Sequence, residues 1–362
     1  MAKNKYKAIP KLEGYYYSFK EAKEARDTGK ILTIRIETSR ICNLRCNYCC
    51  NRSGKPLKNE LSYTKLKKLI KEAKELGAKS VIVIGGGEPT IYPKFKNIIK
   101  YIYELNMMSV LFTNSQTMSK SLTKFLYQYN VSVITKLDSL NEETQDTIAG
   151  VRGTFKNIQK GIRNLLDVGY KDWAKKGKYK LGASFVVNKI NAREIPSIWR
   201  FCRENYIFPN LEMIIPNGVA KKEQKLLLKR NEWRQLKQKL LKIDRKEYNY
   251  NWFPYAPLGG IGCFQVMYNL YISIDGNVRP CSSIHCHVAN VKNMSLKEII
   301  NLPFFNIARN IEKHLKGKCG RCKNHFKCIG CRGLAFSVNK NKGRSEIESL
   351  CSEDPSCSLK NS

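Results

Sequence analysis

The feature that most restricts the fold of this chain is a regular alternation of strands and helices over residues 31–215. Short, nearly continuous β-branched runs predict buried strands, and each is followed by a stretch whose apolar residues recur at helical spacing. Strands that alternate with helices form a parallel sheet with right-handed crossovers. The predicted strands are 31–37, 80–84, 108–113, 131–137, 180–187 and 210–215, and the predicted helices are 61–76, 93–105, 118–128, 154–168 and 191–205.

Six strand–helix units are fewer than the eight of a closed barrel. We therefore expect an α/β protein built on a partial (β/α)6 TIM-like barrel that is open on one side. In barrels of this kind the chemistry takes place at the carboxyl ends of the strands. Polar or glycine-rich turns follow several of the predicted strands, which places candidate functional residues at this end of the sheet.

The alternation stops after about residue 220, and we expect a domain boundary near 220–250. Residues 221–246 predict a basic helix, and residues 266–280 predict a hairpin with Asp275-Gly276 as its two-residue turn. The predicted regions are an N-terminal extension (1–30), the barrel (31–225), a bridging helical region (226–262) and a small cysteine-rich domain (263–362).

The fourteen cysteines are clustered, three of them in 42–49 and four in 319–331. The N-terminus has no continuous apolar segment of the secretory type, so the expected location is the cytosol, where thiols stay reduced. Short spacings let one loop present several thiolates to one metal centre. Metal ligation therefore explains these cysteines better than disulfides do.

The formal net charge is +35, with 65 Lys and Arg against 30 Asp and Glu. Such a charge suits an acidic substrate, an acidic peptide, nucleic acid or an anionic surface, and it equally fits a solvated lysine-rich surface. Nucleic-acid binding is not favoured, because basic residues are not interleaved with aromatic ones in the manner of single-strand binders. Membrane insertion is not expected either, since no apolar run is long enough to span a bilayer.

The loop after the first predicted strand has the spacing Cys42-x3-Cys46-x2-Cys49. A four-iron cluster needs one ligand for each iron, so three cysteines leave one iron open to the amino and carboxylate groups of a methionine. A zinc knuckle with Cys50 as the fourth ligand is the alternative. Adjacent cysteines fit a tetrahedral zinc site poorly, which favours the iron–sulfur cluster.

This loop resembles the CxxxCxxC motif of the radical S-adenosylmethionine (radical SAM) superfamily, in which an aromatic residue such as Tyr48 precedes the last cysteine. Gly85-Gly86-Gly87-Glu88-Pro89 follows the second strand and is similar to the glycine–glutamate motif of that family. The resemblance implies that Cys42, Cys46 and Cys49 bear the catalytic cluster. It also implies a site for S-adenosyl-L-methionine formed by Tyr48, Gly86, Gly87, Glu88, Asn114, Lys136 and Asp138.

Two departures from the family pattern are visible. Ser115 stands where the turn after the third strand often has glycine, and an arginine that pairs with the cofactor in related sequences is absent. Arg152 is the candidate substitute for that arginine.

The cysteines beyond the barrel follow the pattern Cys263-x12-Gly276-x4-Cys281, then Cys319-x2-Cys322-x5-Cys328-x2-Cys331, with two later cysteines. This resembles the SPASM extension, which binds two auxiliary four-iron clusters; a zinc ribbon over 319–331 is the alternative. The resemblance assigns Cys263, Cys281 and Cys331 to auxiliary cluster I, whose fourth position is Cys286, His285, His287 or open. It assigns Cys319, Cys322 and Cys328 to auxiliary cluster II, with Cys351 or Cys357 as the fourth ligand.

The resemblance implies an oxidoreductase or maturase that cleaves S-adenosyl-L-methionine to a 5′-deoxyadenosyl radical and removes a hydrogen atom from its substrate. The expected substrate is a peptide that is oxidised or crosslinked, and the expected electron donor is a flavodoxin or ferredoxin. Ser282 follows Cys281 where sulfatase-activating relatives have a basic aspartate, so seryl or cysteinyl oxidation is not favoured.

Only about thirty residues precede the first strand, too few for a separate leader-binding domain. This leaves a radical dehydrogenase or epimerase for a small molecule as the alternative. In an epimerase Cys202 could donate a hydrogen atom, although a buried apolar thiol is the favoured interpretation of that residue. A non-enzymatic metal-binding or nucleic-acid-binding protein is a minor alternative that rests on charge alone.

Overall fold

The computed structural model describes residues 6–255, 257–357 and 359. Residue 256, in the predicted region 226–262, and the remaining residues at the two ends of the chain, in the predicted regions 1–30 and 263–362, lie outside the described part. Within the described part the strands are β1 (Lys7–Ala8), β2 (Thr33–Glu37), β3 (Ser80–Ile84), β4 (Met108–Thr113), β5 (Ser132–Lys136), β6 (Leu181–Val187), β7 (Phe208–Met213), β8 (Tyr250–Asn251), β9 (Asn269–Ile272), β10 (Asn277–Arg279) and β11 (Ala289–Asn290).

The helices lie mainly between the strands of the first two thirds and then dominate the C-terminal third. They are α1 (Phe19–Asp27), α2 (Tyr63–Glu75), α3 (Phe95–Glu104), α4 (Lys120–Gln128), α5 (Glu142–Ala149), α6 (Thr154–Leu165), α7 (Lys171–Lys175), α8 (Ile195–Glu204), α9 (Arg230–Ile243), α10 (Gln265–Tyr268), α11 (Leu296–Ile300), α12 (Pro303–Arg309), α13 (Gly317–Arg321), α14 (Arg332–Lys340) and α15 (Glu346–Cys351). No helix of the described residues is long and apolar enough to cross a membrane.

The six predicted strands form the parallel sheet of a partial barrel. Strands β2 to β7 are hydrogen-bonded in sequence order, each parallel to the next. The register sets Glu37 of β2 opposite Ile84 of β3, so the carboxyl ends of these strands lie level with each other. The expected (β/α)6 architecture is therefore confirmed.

The same sheet continues into the predicted cysteine-rich region. Strand β9 pairs in parallel with the other side of β2, and β10 and β11 follow in antiparallel order. One hydrophobic core also runs from Ile34 in β2 to Phe336 in α14. The predicted region boundaries at 225 and 262 are therefore crossed by both hydrogen bonds and core packing.

The predicted hairpin at 266–280 forms, but with a longer connection than a two-residue Asp275-Gly276 turn. Strand β9 ends at Ile272 and β10 starts at Asn277, which leaves four residues between them. Ser273 accounts for the difference: its N–H donates to Asn277 O over 2.9 Å, and its O accepts from Gly276 N over 2.8 Å. The backbone N–H of Ile274 is then free to donate to the Glu37 carboxylate over 3.0 Å, so this turn also joins the two parts of the sheet.

The helix predicted over 221–246 begins later, at Arg230. The apolar residues that precede Arg230 do not form part of this helix. One of them, Leu226, packs with Ile214 and Ala220 in a small separate cluster. Helix α9 then buries Trp233, Leu236, Leu240 and Leu241, which recur at helical spacing.

The N-terminal extension contributes to the barrel itself. Leu12, Tyr15 and Tyr16 are buried against inward-facing residues of the sheet such as Ile82 and Val110. A Cβ on Gly14 would lie 2.7 Å from the Met108 sulfur, so the chain passes close to β4 at this point. Residues 12–16 therefore fill part of the barrel interior, away from the carboxyl ends of the strands.

Candidate active site

The Cys42–Cys49 loop leaves the carboxyl end of β2 and is held by backbone hydrogen bonds from neighbouring turns. The N–H groups of Arg45 and Asn47 donate to Ala149 O and Ile148 O over 2.9 and 3.1 Å, at the end of α5. On the other side, Val219 N donates to Cys49 O over 2.9 Å. The scaffold thus fixes the loop mainly through its main chain, while its thiols make only long contacts, such as Leu44 N to Cys42 Sγ over 3.5 Å and Cys49 Sγ to Ser53 Oγ over 3.6 Å.

Helix α5 was missed from the sequence, although it supports this loop. It is short and largely polar, so its apolar spacing carries little signal. Its caps were visible: the Asn141 side chain accepts from Thr144 N, Glu142 and Glu143 lie in the first turn, and Gly150 ends the helix in the left-handed region at φ 68°. An asparagine followed by acidic residues and closed by glycine is a recognisable helix signal.

The glycine–glutamate turn after β3 packs directly on the chain that leads to Cys42. The N–H groups of Gly87 and Glu88 donate to Ser39 O and Ile41 O, each over 2.8 Å. A Cβ on Gly87 would lie 1.8 Å from Ile41 O, so no other residue fits there. The glycines therefore let two main-chain segments meet at the edge of the site.

Glu88 is buried, and its carboxylate joins the ends of β3 and β4. It accepts hydrogen bonds from Thr113 Oγ1 and Asn114 N, both over 2.7 Å, and from Thr90 Oγ1 over 2.6 Å. Burial raises the pKa of Glu88, and these hydrogen bonds act in the opposite direction. The geometry makes Glu88 a support for the turn that carries Asn114.

Asn114 reaches from that turn to the cysteine loop. Its Nδ2 donates to Asn43 Oδ1 over 2.7 Å and lies 4.0 Å from Cys42 Sγ. The next residue, Ser115, has a left-handed φ of 62°, the conformation for which a glycine is favoured. Its buried hydroxyl is hydrogen-bonded to Thr135 Oγ1, which helps to hold a serine where glycine was expected.

Lys136, Asp138 and Tyr48 form one hydrogen-bonded group at the end of β5. Lys136 Nζ contacts both other side chains, and Tyr48 OH donates to Asp138 Oδ2 over 2.9 Å. Asp138 is fully buried, and its second oxygen accepts from Val186 N over 2.8 Å. Burial lowers the pKa of Lys136, whereas the thiols of Cys46 and Cys49 raise it. Asp138 thus orients Lys136 toward the cysteines.

The predicted site residues line one cavity of about 420 Å³. Every residue predicted for the catalytic cluster or the cofactor lines it except Asp138, which lies behind Lys136 and Tyr48. Cys50 also lines it, and burial raises the pKa of this thiol to about 12. Arg152 is exposed and lies outside the lining.

Glu212, at the end of β7, is a carboxylate of this cavity that the sequence did not indicate. Asn210 Nδ2 donates to its Oε1 over 2.7 Å, and burial raises the pKa of Glu212 while Arg35 lowers it. The available signal was its place near the end of a predicted strand, which is where barrel enzymes carry functional groups.

Arg35, on β2, is buried inside the barrel beside the ring of Tyr15, 5.1 Å from its centre. Among the described residues, no hydrogen-bond partner reaches its Nε or Nη2. The positive charge of Arg35 lowers the pKa of Cys263, although burial has the larger, opposite effect and raises that pKa to about 12. A buried cation near cysteines favours their thiolate form, the form that binds metal.

Cys263, Cys281 and Cys331 lie near each other, as assigned to auxiliary cluster I. Burial raises the pKa of Cys331, and the thiols of Cys281 and Cys263 contribute to the same shift. Ser282 and Ser283, which follow Cys281, line the same 420 Å³ cavity as the first cysteine loop. The auxiliary site therefore adjoins the cavity that the Cys42–Cys49 loop also lines.

The predicted candidates for the fourth position of that site lie in other surroundings. Cys286 is buried, and burial raises its pKa to about 11, with Glu346 as the next contribution. His285 Nδ1 lies 3.3 Å from Arg279 Nη1, and burial together with Arg279 and Arg40 lowers the pKa of His285 to about 3. His287 is exposed.

A separate cavity is lined by the cysteines assigned to auxiliary cluster II. Cys319, Cys322 and Cys328 line it together with Cys357, and Asp354 lies beside them. Cys351 is buried in α15 and lies outside this lining. Of the two alternatives left open by the sequence, the geometry favours Cys357 as the fourth ligand.

The donor sets fit iron–sulfur clusters. Within the described residues, no three His, Cys, Asp or Glu side chains surround one point closely enough to hold a single metal ion. The cysteines line cavities instead, as ligands do around a four-iron cluster, which is larger than one zinc ion. Cys202 takes no part, because it is buried in the core on α8, where burial raises its pKa to about 12.

Two family models match the chain. The model described as "Radical SAM superfamily" matches residues 36–198, and the SPASM model, described as "Iron-sulfur cluster-binding domain", matches residues 263–323. The chain belongs to the radical SAM superfamily. It is an enzyme with a SPASM domain, and its cofactors are S-adenosyl-L-methionine and [4Fe–4S] clusters, one in the radical SAM domain and the auxiliary ones in the SPASM domain.

Among curated relatives, this radical SAM/SPASM enzyme is similar to proteins named for tetrapyrrole synthesis. It is 26% identical over 331 residues to the AdoMet-dependent heme synthase of Methanosarcina barkeri, a match that covers 82% of this chain and 90% of the relative. It is 31% identical over 171 residues to the Fe-coproporphyrin III synthase of the same organism, covering 47% and 40%.

Solved structures of similar fold include enzymes bound to peptides. Streptococcus suis SuiB bound to its precursor peptide SuiA is 22% identical, has a TM-score of 0.68, and is matched over 94% of this chain and 79% of SuiB. The structure of anSMEcpe with bound AdoMet and Cp18Cys peptide is 17% identical, has a TM-score of 0.63, and is matched over 88% and 96%. At these identities the likeness shows the shared fold.

Proposed function

We propose that this radical SAM/SPASM enzyme oxidises or crosslinks a peptide. The observation that carries the proposal is that one cavity is lined both by the first cysteine loop and by the residues that follow Cys281. The Cys42–Cys49 loop forms one wall, and Ser282 and Ser283, next to Cys281, form another. A substrate in this cavity would lie between the catalytic cluster and an auxiliary cluster that can accept its electron.

The clusters and S-adenosyl-L-methionine, when bound, supply the 5′-deoxyadenosyl radical chemistry typical of the superfamily. We assign Cys42, Cys46 and Cys49 to the catalytic cluster. Asn114 and Lys136 offer N–H donors to the polar groups of the cofactor, while Glu88 and Asp138 hold those two donors in place. Tyr48, Gly86 and Gly87 complete the lining of this part of the cavity.

Glu212 gives the cavity a carboxylate in place of the aspartate that Ser282 replaces. A substrate that loses a hydrogen atom and then an electron must also release a proton. The raised pKa of Glu212, caused by burial, suits a carboxylate that accepts this proton. A flavodoxin or ferredoxin is the proposed electron donor.

A peptide substrate is supported by the similar folds of SuiB with SuiA and of anSMEcpe with Cp18Cys peptide. A small anionic molecule is the second candidate, because the relatives named AdoMet-dependent heme synthase align with most of this chain. Lys136, Arg45 and Arg52 of the cavity lining could pair with the carboxylates of such a molecule.

The test is anaerobic reconstitution followed by measurement of iron and of 5′-deoxyadenosine. We expect about twelve irons per chain, from three four-iron clusters. A mixture of synthetic peptides should raise 5′-deoxyadenosine release and yield peptide products that have lost two mass units for each oxidation or crosslink, about 2 Da. Stimulation by coproporphyrin III but by no peptide would reject the peptide in favour of the second candidate.

A further inference from the structure

Three cavities adjoin each other along the junction of the barrel and the C-terminal region. The 420 Å³ site cavity shares Met213 and Ile214 with a middle cavity of about 180 Å³. The middle cavity shares Arg230, Val338 and Pro355 with a last cavity of about 420 Å³. The shared residues place the three cavities in a row that starts at the site.

The middle cavity is apolar. Its lining brings together side chains from β6, β7, the segment before α9, and α14, including Leu227, Leu228, Trp233 and Leu334. Leu227, Leu228 and Leu334 are only partly buried. Apolar side chains of this kind form pockets that a bound ligand can cover, at a favourable free energy for each apolar group removed from water.

The last cavity is basic. Its lining contains four cationic side chains, those of Arg230, Lys316, Lys342 and Arg344, all of them exposed. It contains two carboxylates, but both are already engaged. Glu348 accepts from Ser345 N and Oγ over 3.1 and 2.7 Å, and Glu353 accepts from Lys318 N over 2.8 Å. Because the four cationic side chains outnumber the two carboxylates, the net charge of this lining is positive.

We propose that the three cavities form one groove for an extended peptide with a fixed order of side chains. The residue to be modified lies in the site cavity, apolar residues occupy the middle cavity, and acidic residues bind the basic cavity. This rests on the proposed peptide function and adds the class of peptide. The order follows from the order of the cavities, and the acidic end follows from charge complementarity, which governs specificity and association rate.

An extended peptide fits three adjoining cavities in a row better than a small molecule does. Each residue of an extended chain adds about 3.3–3.6 Å, so one short segment reaches several successive pockets. Its side chains alternate between two directions, which suits separate pockets for apolar and acidic groups. The strongly basic charge of the whole chain, +35, would add attraction for an acidic peptide before contact.

The experiment uses the reconstituted holoenzyme and two fluorescein-labelled synthetic peptides. Both have the same apolar segment, and one continues into Asp and Glu residues while the other continues into Lys residues. Binding is measured by fluorescence polarisation in the wild type and in the double variant Lys316→Glu/Lys342→Glu. Both lysines are exposed, so the variant is expected to fold.

We expect the wild type to prefer the acidic peptide, and the double variant to bind it about tenfold more weakly. The lysine peptide should gain affinity in the same variant. The matched control is Lys71→Glu/Lys74→Glu on the exposed face of α2, which lies outside all three linings and should change binding less than about twofold. A second variant, Leu228→Gln in the middle cavity, should weaken both peptides.

Several results would overturn the groove. Among them are equal losses in the two double variants, no binding of the acidic peptide by the wild type, and no effect of Leu228→Gln. The groove is also overturned if coproporphyrin III binds the basic cavity and the acidic peptide does not. Release of 5′-deoxyadenosine stimulated by peptide is measured in parallel. If peptides stimulate it equally in wild type and groove variants, the peptide function stands and only the groove fails.

Discussion

The two cysteine regions of this enzyme are held in different ways. The Cys42–Cys49 loop sits on the ends of parallel strands. Its N–H groups donate to the end of α5, Val219 N donates to Cys49 O, and the Gly87 turn fixes the chain just before the loop. The cavity of Cys319, Cys322, Cys328 and Cys357 is built from segments with little regular structure, of which α13 has only five residues.

This difference indicates which of the two cysteine regions depends on its iron–sulfur cluster for folding. In the barrel, the scaffold positions the cysteines, so the cluster adds chemistry to a structure that exists without it. In the C-terminal part, the backbone–backbone hydrogen bonds of residues 316–331 are mostly local, and the one from Lys316 N to Cys351 O reaches another segment. We therefore expect binding energy from the cluster to contribute to folding, as in small metal-binding domains. Four predictions test this comparison.

The largest effect is expected from Cys42→Ala/Cys46→Ala/Cys49→Ala. Release of 5′-deoxyadenosine should fall to background, and iron should drop from about twelve to about eight per chain. Because the scaffold holds the loop, the melting temperature should change by less than about 3 °C. Scanning calorimetry, iron analysis and chromatography of the products check this. A collapse of the melting temperature would contradict the idea that the barrel stands without its cluster.

The second prediction concerns the C-terminal cluster. Cys357→Ala should lose about four irons and expose residues 316–331 to proteolysis, while 5′-deoxyadenosine release persists. Cys351→Ala is the matched control: this thiol is buried outside the cavity, so the variant should keep its iron and lose only about 1 kcal/mol of stability. Limited proteolysis with mass spectrometry distinguishes them, and the reverse pattern of iron loss would assign the ligand to Cys351.

Glu88→Gln tests how the barrel positions its cofactor donors. One oxygen becomes an amide NH2 that cannot accept from Asn114 N or Thr113 Oγ1, so the variant should be less stable by about 2 kcal/mol. Because Asn114 is then displaced, S-adenosyl-L-methionine should bind about tenfold more weakly. Urea unfolding and calorimetric titration measure the two effects.

The control for Glu88 is Glu298→Gln, in the exposed capping box of α11. We expect it to reduce stability by about 0.5 kcal/mol and to leave cofactor affinity unchanged. Equal cofactor affinity in both variants would show that Glu88 does not act through Asn114.

The smallest effect concerns His285, which lies where the two regions meet, beside Arg279 and Arg40. Its pKa in the folded protein is lowered to about 3, mainly by burial. Below the unfolded pKa of about 6.5, the unfolded chain binds a proton that the folded chain does not, so stability falls as the pH falls.

Between pH 7 and pH 5.5 this residue should therefore reduce stability by about 1 kcal/mol. His285→Gln removes that part of the pH dependence, and urea unfolding of both proteins at the two pH values measures it. Equal slopes in the wild type and the variant would show that His285 titrates normally in the folded state.

Much of the fold could be predicted from the sequence, because buried parallel strands and amphipathic helices leave a local periodic signal. Strands β3 and β4 have the predicted bounds, and the order of the six barrel strands follows from chain connectivity. Polar and irregular elements carry no such signal. For this reason α5 was missed, and α9 was predicted to begin before Arg230.

The cysteine spacings together with the glycine–glutamate turn after the second strand predicted an iron–sulfur enzyme from the sequence alone. Three thiols within eight residues can reach one centre because a single loop carries them. Only the tertiary structure favours Cys357 over Cys351, since both lie at suitable distances along the chain and Cys357 is the one that lines the cavity. Likewise, only the tertiary structure shows Glu212 in the cavity, Arg35 buried in the barrel and the adjoining cavities beside the site, because long-range packing brings their parts together and no local pattern records it.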